Sequence, residues 1–485
     1  MHCFEGASAR SARRIVLGFT VLLTVARMCI AQGTPVQVTI DEASVVGTLD
    51  LSRYSLGQGG LSSKSMIEAD VDDLAAVRPR YLRFFVQEYY HLYPDHKTYH
   101  WDTFDSSMAD IVATGAEPIP AMAFKPRVLY PTIDPRIVDP TSYPEWEELI
   151  YQLVTHCLQR GYGIHYWEIG NEGNAGEVGG CPYRFTPQGY VRWYSHTAAA
   201  ILRADPTAKV GGPALGSFSQ NDPIGSALIA AGAAGNVPFD FFSWHGYSND
   251  PSAFSNAINE VRAKLAAHPS LSHVETMITE WNIGLGNNNP EPSFQPAFIL
   301  ETTRNFWQAG LIAAHYYHIR DYFVNEAEFA EFMTPHGARK MAKNWNTLPM
   351  HLGLYSKQGV MRPAYYSFLL LSRLGGPQLD VKTSKGDIHG FAVRTSDSLR
   401  AVIWNYGGGT TYNVTLNLPS TASGSLTLSR LNPNTVAMET VRQGQIADLN
   451  ATLLTISLAR YGVCYLEVSA GPHKHPVGSN LKGNN

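Results

Sequence analysis

Tyr166-Trp167-Glu168-Ile169-Gly170-Asn171-Glu172 is the stretch whose reading decides the fold. It is a short run of bulky residues that ends in Asn-Glu, and Gly173, Asn174, Ala175 and Gly176 follow it. A carboxylate at the C-terminal end of a strand, before a glycine-rich loop, is where parallel α/β barrels place their chemistry. A second stretch has the same form: Thr276-Met277-Ile278-Thr279-Glu280-Trp281-Asn282, with Gly284 and Gly286 after it.

Working outward, eight apolar strands are expected at 54–61, 81–86, 117–124, 166–172, 209–213, 239–247, 276–281 and 312–319. Helical periodicity fills the gaps at 66–77, 105–114, 143–161, 186–204, 256–267 and 298–309. Thr186-Pro187 supplies an N-cap followed by proline at the first helical position. Eight strands alternating with helices predict an α/β fold, a (β/α)8 TIM barrel over residues 51–377. An open doubly wound sheet needs a phosphate-binding glycine loop after an early strand, and Gly57-Gln58-Gly59-Gly60 lacks that spacing.

The flanks read differently. After Gly375-Gly376-Pro377 come short strands at 388–395, 399–406, 411–418, 425–431 and 463–468. Residues 378–470 are therefore expected to form a C-terminal all-β sandwich domain. The N-terminal strand in 32–50, best patterned over 36–46, precedes the barrel and is expected to join that sandwich. Residues 325–363 look irregular and suit a loop over the barrel mouth, and 365–374 reads as the final helix. The tail 471–485 has no apolar face and reads as disordered.

Arg10, Arg13 and Arg14 precede an apolar run from Ile15 to Val25, and Ala31 ends a cleavable site. Residues 1–31 thus read as a signal peptide, and the run is too short, and too soon interrupted by Arg27, for a membrane anchor. The expected location is secreted or periplasmic, with no stable membrane insertion. The formal net charge is −4, and the first 31 residues hold four Arg and one Glu, so the cleaved chain would carry −7. A mildly acidic chain with no basic stripe does not suit nucleic acid. Cleavage leaves Cys157, Cys181 and Cys464, an odd number that builds no disulfide framework. Cys157 and Cys181 flank the first glutamate stretch and are the one candidate pair. Nothing has zinc spacing, and the residues call for no metal and no cofactor. His315 and His318, three apart on one strand, point to opposite faces and share no ligand site. Asn413-Val414-Thr415 and Asn450-Ala451-Thr452 match glycosylation acceptors.

Glu172 and Glu280 end the fourth and seventh strands, which lie on opposite sides of an eight-strand mouth. Two facing carboxyls are the minimum kit for glycoside hydrolysis. One protonates the leaving oxygen while the other attacks or activates water, and a separation near ~5 Å means retention. The implied partner is an oligo- or polysaccharide.

Trp167-Glu168-Ile169-Gly170-Asn171-Glu172 and Ile278-Thr279-Glu280-Trp281-Asn282 resemble the acid/base and nucleophile strands of clan A retaining glycoside hydrolases. Within that clan the chain most resembles family 39, the β-xylosidase and α-L-iduronidase family. Leu82-Arg83, Gly211-Gly212-Pro213-Ala214, Trp244-His245-Gly246-Tyr247 and the helix carrying Gly189-Tyr190-Val191-Arg192-Trp193-Tyr194 support it. The resemblance implies that Glu172 is the acid/base and Glu280 the nucleophile. It implies that Asn171 bonds the sugar 2-hydroxyl, that Arg83 keeps Glu280 ionised, and that Tyr247 orients Glu280. It also implies that His245 and Trp281 line the sugar pocket. The chain departs from the family pattern at Phe85, where a sugar-contacting His is usual, and at Gly170, Gly173 and Lys125. The expected activity is that of a β-xylosidase-like exo-glycosidase. An α-L-arabinofuranosidase, a uronic-acid glycosidase with Lys125 on the carboxylate, and a catalytically silent carbohydrate-binding protein are the alternatives.

Overall fold

In the computed structural model, residues 33–59, 65–285, 290–347, 351–418, 424–446 and 453–469 are described. The expected signal peptide, the C-terminal tail, the end of the first barrel strand, Gly286 and the Asn450 acceptor lie outside them.

The first element is β1 (Thr34–Asp50). Eight parallel strands then close a barrel: β2 (Tyr54–Gln58), β3 (Tyr81–Val86), β4 (Glu117–Met122), β5 (Tyr166–Glu168), β6 (Lys209–Leu215), β7 (Phe241–Tyr247), β8 (Glu275–Asn282) and β9 (Ala313–Tyr317). Helices α1 (Val71–Val77), α2 (Asp102–Ala113), α3 (Tyr143–Arg160) and α4 (Pro187–Ala204) lie between the strands of the first half. In the second half come α5 (Pro223–Ala233), α6 (Pro251–Ala266), α7 (Phe294–Gln308), α8 (Glu326–Phe329), α9 (Pro335–Thr347) and α10 (Ala364–Leu371). Thr186 caps α4 by accepting from Gly189 N at 3.1 Å, as its Thr-Pro sequence predicts.

Strand alternation sorts side chains into the barrel or onto the helices. Tyr81, Ile119, Tyr166, Phe241, Met277 and Ala313 form one buried apolar cluster inside, a floor beneath the site. Leu82, Phe84, Trp167, Phe242, Trp244 and Ile278 point outward into the main core under the helices.

Residues 325–363 are not the loop the sequence suggested. They contain α9, whose Thr334-Pro335 start is the same capping signal as at α4, with Thr334 Oγ1 accepting from Gly337 N at 3.1 Å.

The remaining strands are β10 (Gly375–Thr383), β11 (Ile388–Arg394), β12 (Ser398–Asn405), β13 (Tyr412–Asn417), β14 (Ser425–Asn432), β15 (Ala437–Gln445), β16 (Leu453–Leu458) and β17 (Val463–Ser469). With β1 they form one nine-stranded sheet in the order β15-β14-β17-β12-β11-β10-β1-β13-β16. Val36 of β1, Leu428 of β14 and Ile456 of β16 share a single core, so the sheet folds over on itself. Gly375-Gly376-Pro377, read from sequence as a boundary, instead begins β10 and pairs with Asp50, Leu49 and Thr48 of β1.

The other face of this sheet packs on the barrel. On β12, Ala401 and Ile403 enter the sheet's own core while Val402 and Trp404 enter the barrel core. Glu301 of α7 ties the two together. It accepts from Trp404 Nε1 at 2.9 Å, lies 2.6 Å from His389 Nδ1, and pairs with Arg304 at 2.5 Å. Burial pushes its carboxyl up, but the bonds from His389 and Arg304 outweigh that and hold it at about 2.

Candidate active site

The site stands on the interior of the C-terminal mouth, one and two layers above the apolar floor. Arg83 is its centre and is 1% exposed. Two residues above Tyr81 on β3, its guanidinium spreads over three acceptors. Nε donates to Glu168 Oε2 at 2.6 Å, Nη1 to Glu280 Oε1 at 2.8 Å, and Nη2 to Asn171 Oδ1 at 2.9 Å. A buried charge is tolerated only when paired and hydrogen-bonded, and two carboxylates and an amide oxygen meet that need here.

Glu280 reaches the interior through a bulge. Trp244 pairs with Ile278 but His245 pairs with Glu280, so Thr279 is the extra residue on β8. A bulge re-aims the side chains beyond it. Glu280 therefore faces in, and Trp281 faces out. Tyr247 Oη donates to Glu280 Oε2 at 2.7 Å. Each Glu280 oxygen thus has its own donor, Arg83 on one and Tyr247 on the other.

Glu172 lies beyond the end of β5, which stops at Glu168 rather than running on as the sequence suggested. The turn between them needs Gly170, at φ 120°, and Glu172 itself is left-handed at φ 46°. A non-glycine residue held there is a mark of a constrained site. His245 Nδ1 stands 2.7 Å from Glu172 Oε1 and 3.5 Å from Glu280 Oε2. A Glu172 oxygen lies within 4.8 Å of a Glu280 oxygen, with His245 Nδ1 or Nε2 in the same cluster. Burial raises the Glu172 carboxyl to about 7, against a smaller pull from Arg83. Burial likewise drives His245 down to about 4, so its ring is neutral at pH 7.

The seven residues expected at the site separate as follows. Asn171, Glu172, Glu280 and Tyr247 line a cavity of 210 Å³. Arg83 and His245 lie directly behind them, bonded to the carboxylates but not on the cavity wall. Trp281 is a correction: it is 0% exposed and packs outside the barrel against Phe254, Phe298, Phe306 and Tyr316. It cannot line a sugar pocket.

Lys125 is a second correction. It is 3% exposed, and its Nζ donates to Asp134 O at 2.8 Å and Pro182 O at 3.2 Å beneath the Tyr130 and Tyr183 rings. Burial lowers it to about 8. With its donors given to loop carbonyls, it is no receptor for a uronic carboxylate. Cys157, Cys181 and Cys464 are free and buried, so the candidate pair does not form. His315 is buried within the barrel, while His318 meets Asp321 at 2.9 Å.

Several site residues had no reading from sequence. Glu168 is fully buried: burial pushes its carboxyl up, but Arg83 beside it holds it below the usual range. Phe85, by contrast, was singled out in the sequence as the departure at the usual sugar-contacting His, and it does lie at the site, its ring 4.9 Å from the Arg83 guanidinium and on the cavity wall. Gln87, Tyr317 and Tyr322 line it too, as do Met341, Asn344 and Trp345 of α9. Gly179, in the loop after β5, carries no side chain because Glu172 fills the space.

The model of Glycosyl hydrolases family 39 matches residues 94–407. A β-xylosidase of Caldicellulosiruptor saccharolyticus is 26% identical over 336 residues, 62% of each chain. A β-xylosidase of Geobacillus stearothermophilus is 26% identical over 317 residues, 58% of this chain and 56% of that one. The chain thus spans about three fifths of the length of the curated relatives it matches. Among solved structures, the family 39 enzyme of Xanthomonas axonopodis pv. citri superposes with a TM-score of 0.71 at 17% identity, over 92% of this chain and 99% of that one. A monomeric β-xylosidase of Caulobacter crescentus CB15 gives 0.68 at 18%, over 90% and 99%. These two share the barrel and its strand-rich companion. The family match covers well over half of the sequence, and the chain belongs to glycosyl hydrolase family 39.

Proposed function

We infer that this chain hydrolyses glycosidic bonds with retention, as a β-xylosidase-like exo-glycosidase, with Glu280 as nucleophile and Glu172 as acid/base. The observation that carries the reading is the pairing of two unlike carboxyls within 4.8 Å. Retaining enzymes hold their carboxyls about 5 Å apart, whereas inverting ones leave about 6.5–9.5 Å for a water.

The environments divide the labour. Glu172, raised to about 7, keeps a proton near neutral pH and can give it to the leaving oxygen. Glu280 has a guanidinium on one oxygen and a phenol on the other, which fix the orientation of the carboxylate that attacks the anomeric carbon. Once Glu280 is esterified, a negative charge near Glu172 is gone. Ionisation of Glu172 then becomes easier, and it can take a proton from the incoming water. Neutral His245 shares a proton with Glu172 without adding a cation that would hold it ionised. Asn171, fixed by Arg83 and by its donation to Gly179 O at 3.2 Å, is placed to meet the sugar 2-hydroxyl. The chemistry asks nothing of a metal, since Arg83 already supplies the cation at Glu280.

The cavity suits one ring more than a chain: sites for drug-sized ligands run to roughly 300–1,000 Å³, against 210 Å³ here. That favours exo action. The β-xylosidase names of two relatives support the glycone, and burial of Lys125 removes the support for a uronide.

The test is hydrolysis of a panel of aryl glycosides: β-xyloside, α-L-arabinofuranoside, β-glucoside, β-galactoside and uronides. Release from one of them that disappears with Glu280→Ala is expected. Undiminished release by that variant would refute the assignment. Export is part of the same reading, supported by the Arg-flanked apolar run before Ala31. Protein recovered from medium or periplasm should begin at Gln32, and a retained N-terminus on cytoplasmic protein would refute export.

A further inference from the structure

The acid side of the cavity has a composition that the hydrolytic reading does not require. The leaving group departs past Glu172, so the residues around that carboxyl make its seat. Gly179 touches Glu172: a Cβ built on Gly179 would stand 1.8 Å from Oε2. Its neighbour Val178 is therefore on the rim beside the acid, and it is 53% exposed. Met341 of α9 closes on the same loop, its Cε 3.7 Å from where a Cβ on Gly180 would lie. Leu285, 45% exposed, continues the rim beyond β8, and Phe329 and Trp345 line the wall with it.

Scattered exposed apolar side chains need no explanation, but two on the rim of one cavity, backed by the buried Met341 and Phe329, do. The apolar path also runs outward. Phe323 is 62% exposed, and Lys357 links it to the wall, with Nζ 4.1 Å from its ring centroid and donating to Trp345 O at 3.4 Å. Among the described lining residues, several polar side chains are engaged within the protein. Gln87 donates to Gly180 O at 3.2 Å, and Tyr317 and Tyr322 bond each other at 3.0 Å. Val178, Leu285, Phe329 and Met341 have nothing to offer a hydroxyl. A second sugar seated there could meet the exposed Asn344 of α9 but would leave most of its hydroxyls desolvated and unpaired, which a site tolerates poorly.

We propose that the rim formed by Val178, Met341 and Leu285 seats an apolar leaving group, an alkyl or aryl alcohol, in preference to a second sugar. The inference rests on the glycosidase reading above and names the leaving-group class for that same site. Hydrophobic contact grows with buried area, so affinity in the transition state should climb with the length of an alkyl chain.

The test compares methyl, butyl and hexyl glycosides with the disaccharide of the same glycone, xylose or whichever sugar the panel selects. Alkanols of this series have similar intrinsic leaving ability, so chain length isolates the seat. From methyl to hexyl, kcat/KM should rise at least tenfold, and the hexyl glycoside should exceed the disaccharide. In Val178→Asn the hexyl-to-methyl ratio, taken within that one protein, should fall several-fold. A flat series with the disaccharide equal or better would overturn the inference and leave the hydrolytic reading standing. No turnover of any glycoside would overturn both.

Discussion

Arg83 and Glu168 form a salt bridge of 2.6 Å in which neither side chain is more than 1% exposed. This bridge fixes the plane of the guanidinium, and with it the donor that meets Glu280. Removing one partner of a buried pair typically costs about 3–5 kcal/mol because a charge is left uncompensated. Glu168→Gln should therefore lower unfolding stability by about 3 kcal/mol in denaturant titrations. It should also reduce kcat at least tenfold, though Glu168 does not line the cavity. Unchanged kcat in the folded variant would contradict this positioning role.

Gly179 predicts a sharper effect on turnover than on binding. A methyl group there would sit 1.8 Å from Glu172 Oε2 and 2.7 Å from its Cβ, so the acid must move. Misplacing a catalytic group by about 1 Å can cost about 10²-fold. Gly179→Ala should lower kcat by roughly that factor with a smaller change in KM, measured by steady-state kinetics.

The pH profile follows from Glu172. Its carboxyl must carry a proton to act as an acid, and burial raises it to about 7. Activity should hold below that value and fall about tenfold per pH unit above it. Glu172→Gln, assayed with an aryl leaving group that needs no protonation, should lose this alkaline limb of kcat/KM.

Glu301 makes the contact between barrel and sheet sensitive to acid. Its folded carboxyl is held at about 2, below the roughly 4.3 of an unfolded glutamate. A depressed carboxyl stabilises fully above the unfolded value, and that stability is lost as pH falls toward the folded one. The contribution is about 3 kcal/mol. Thermal unfolding should separate wild type from Glu301→Gln at pH 7, and the gap should close between about pH 4 and 2. A gap constant with pH would contradict it.

Much of this was legible in the sequence for physical reasons. Strand-end glutamates before glycines mark a barrel mouth, and all eight barrel strands begin within two residues of the pattern that predicted them, with β2 to β6 starting on it. Trp281 was illegible because its direction depends on the Thr279 bulge. Alternation counted from Met277 turns it inward, and the bulge turns it out. Glu168 lay inside the quoted stretch, but a buried carboxylate is recognised by its cation, and Arg83 arrives from another strand. Helix α9 did carry a readable signal in Thr334-Pro335, obscured by the Gly and aromatic residues around it.

The most direct measurement is trapping of the covalent intermediate. A 2-deoxy-2-fluoro glycoside with an activated leaving group slows both steps and lets the glycosyl-enzyme accumulate, so peptide mass spectrometry can locate the sugar. The prediction is one adduct, on the peptide containing Glu280, and none in Glu280→Gln. An adduct on another residue, or rapid turnover with an inverted product and no adduct, would contradict the account.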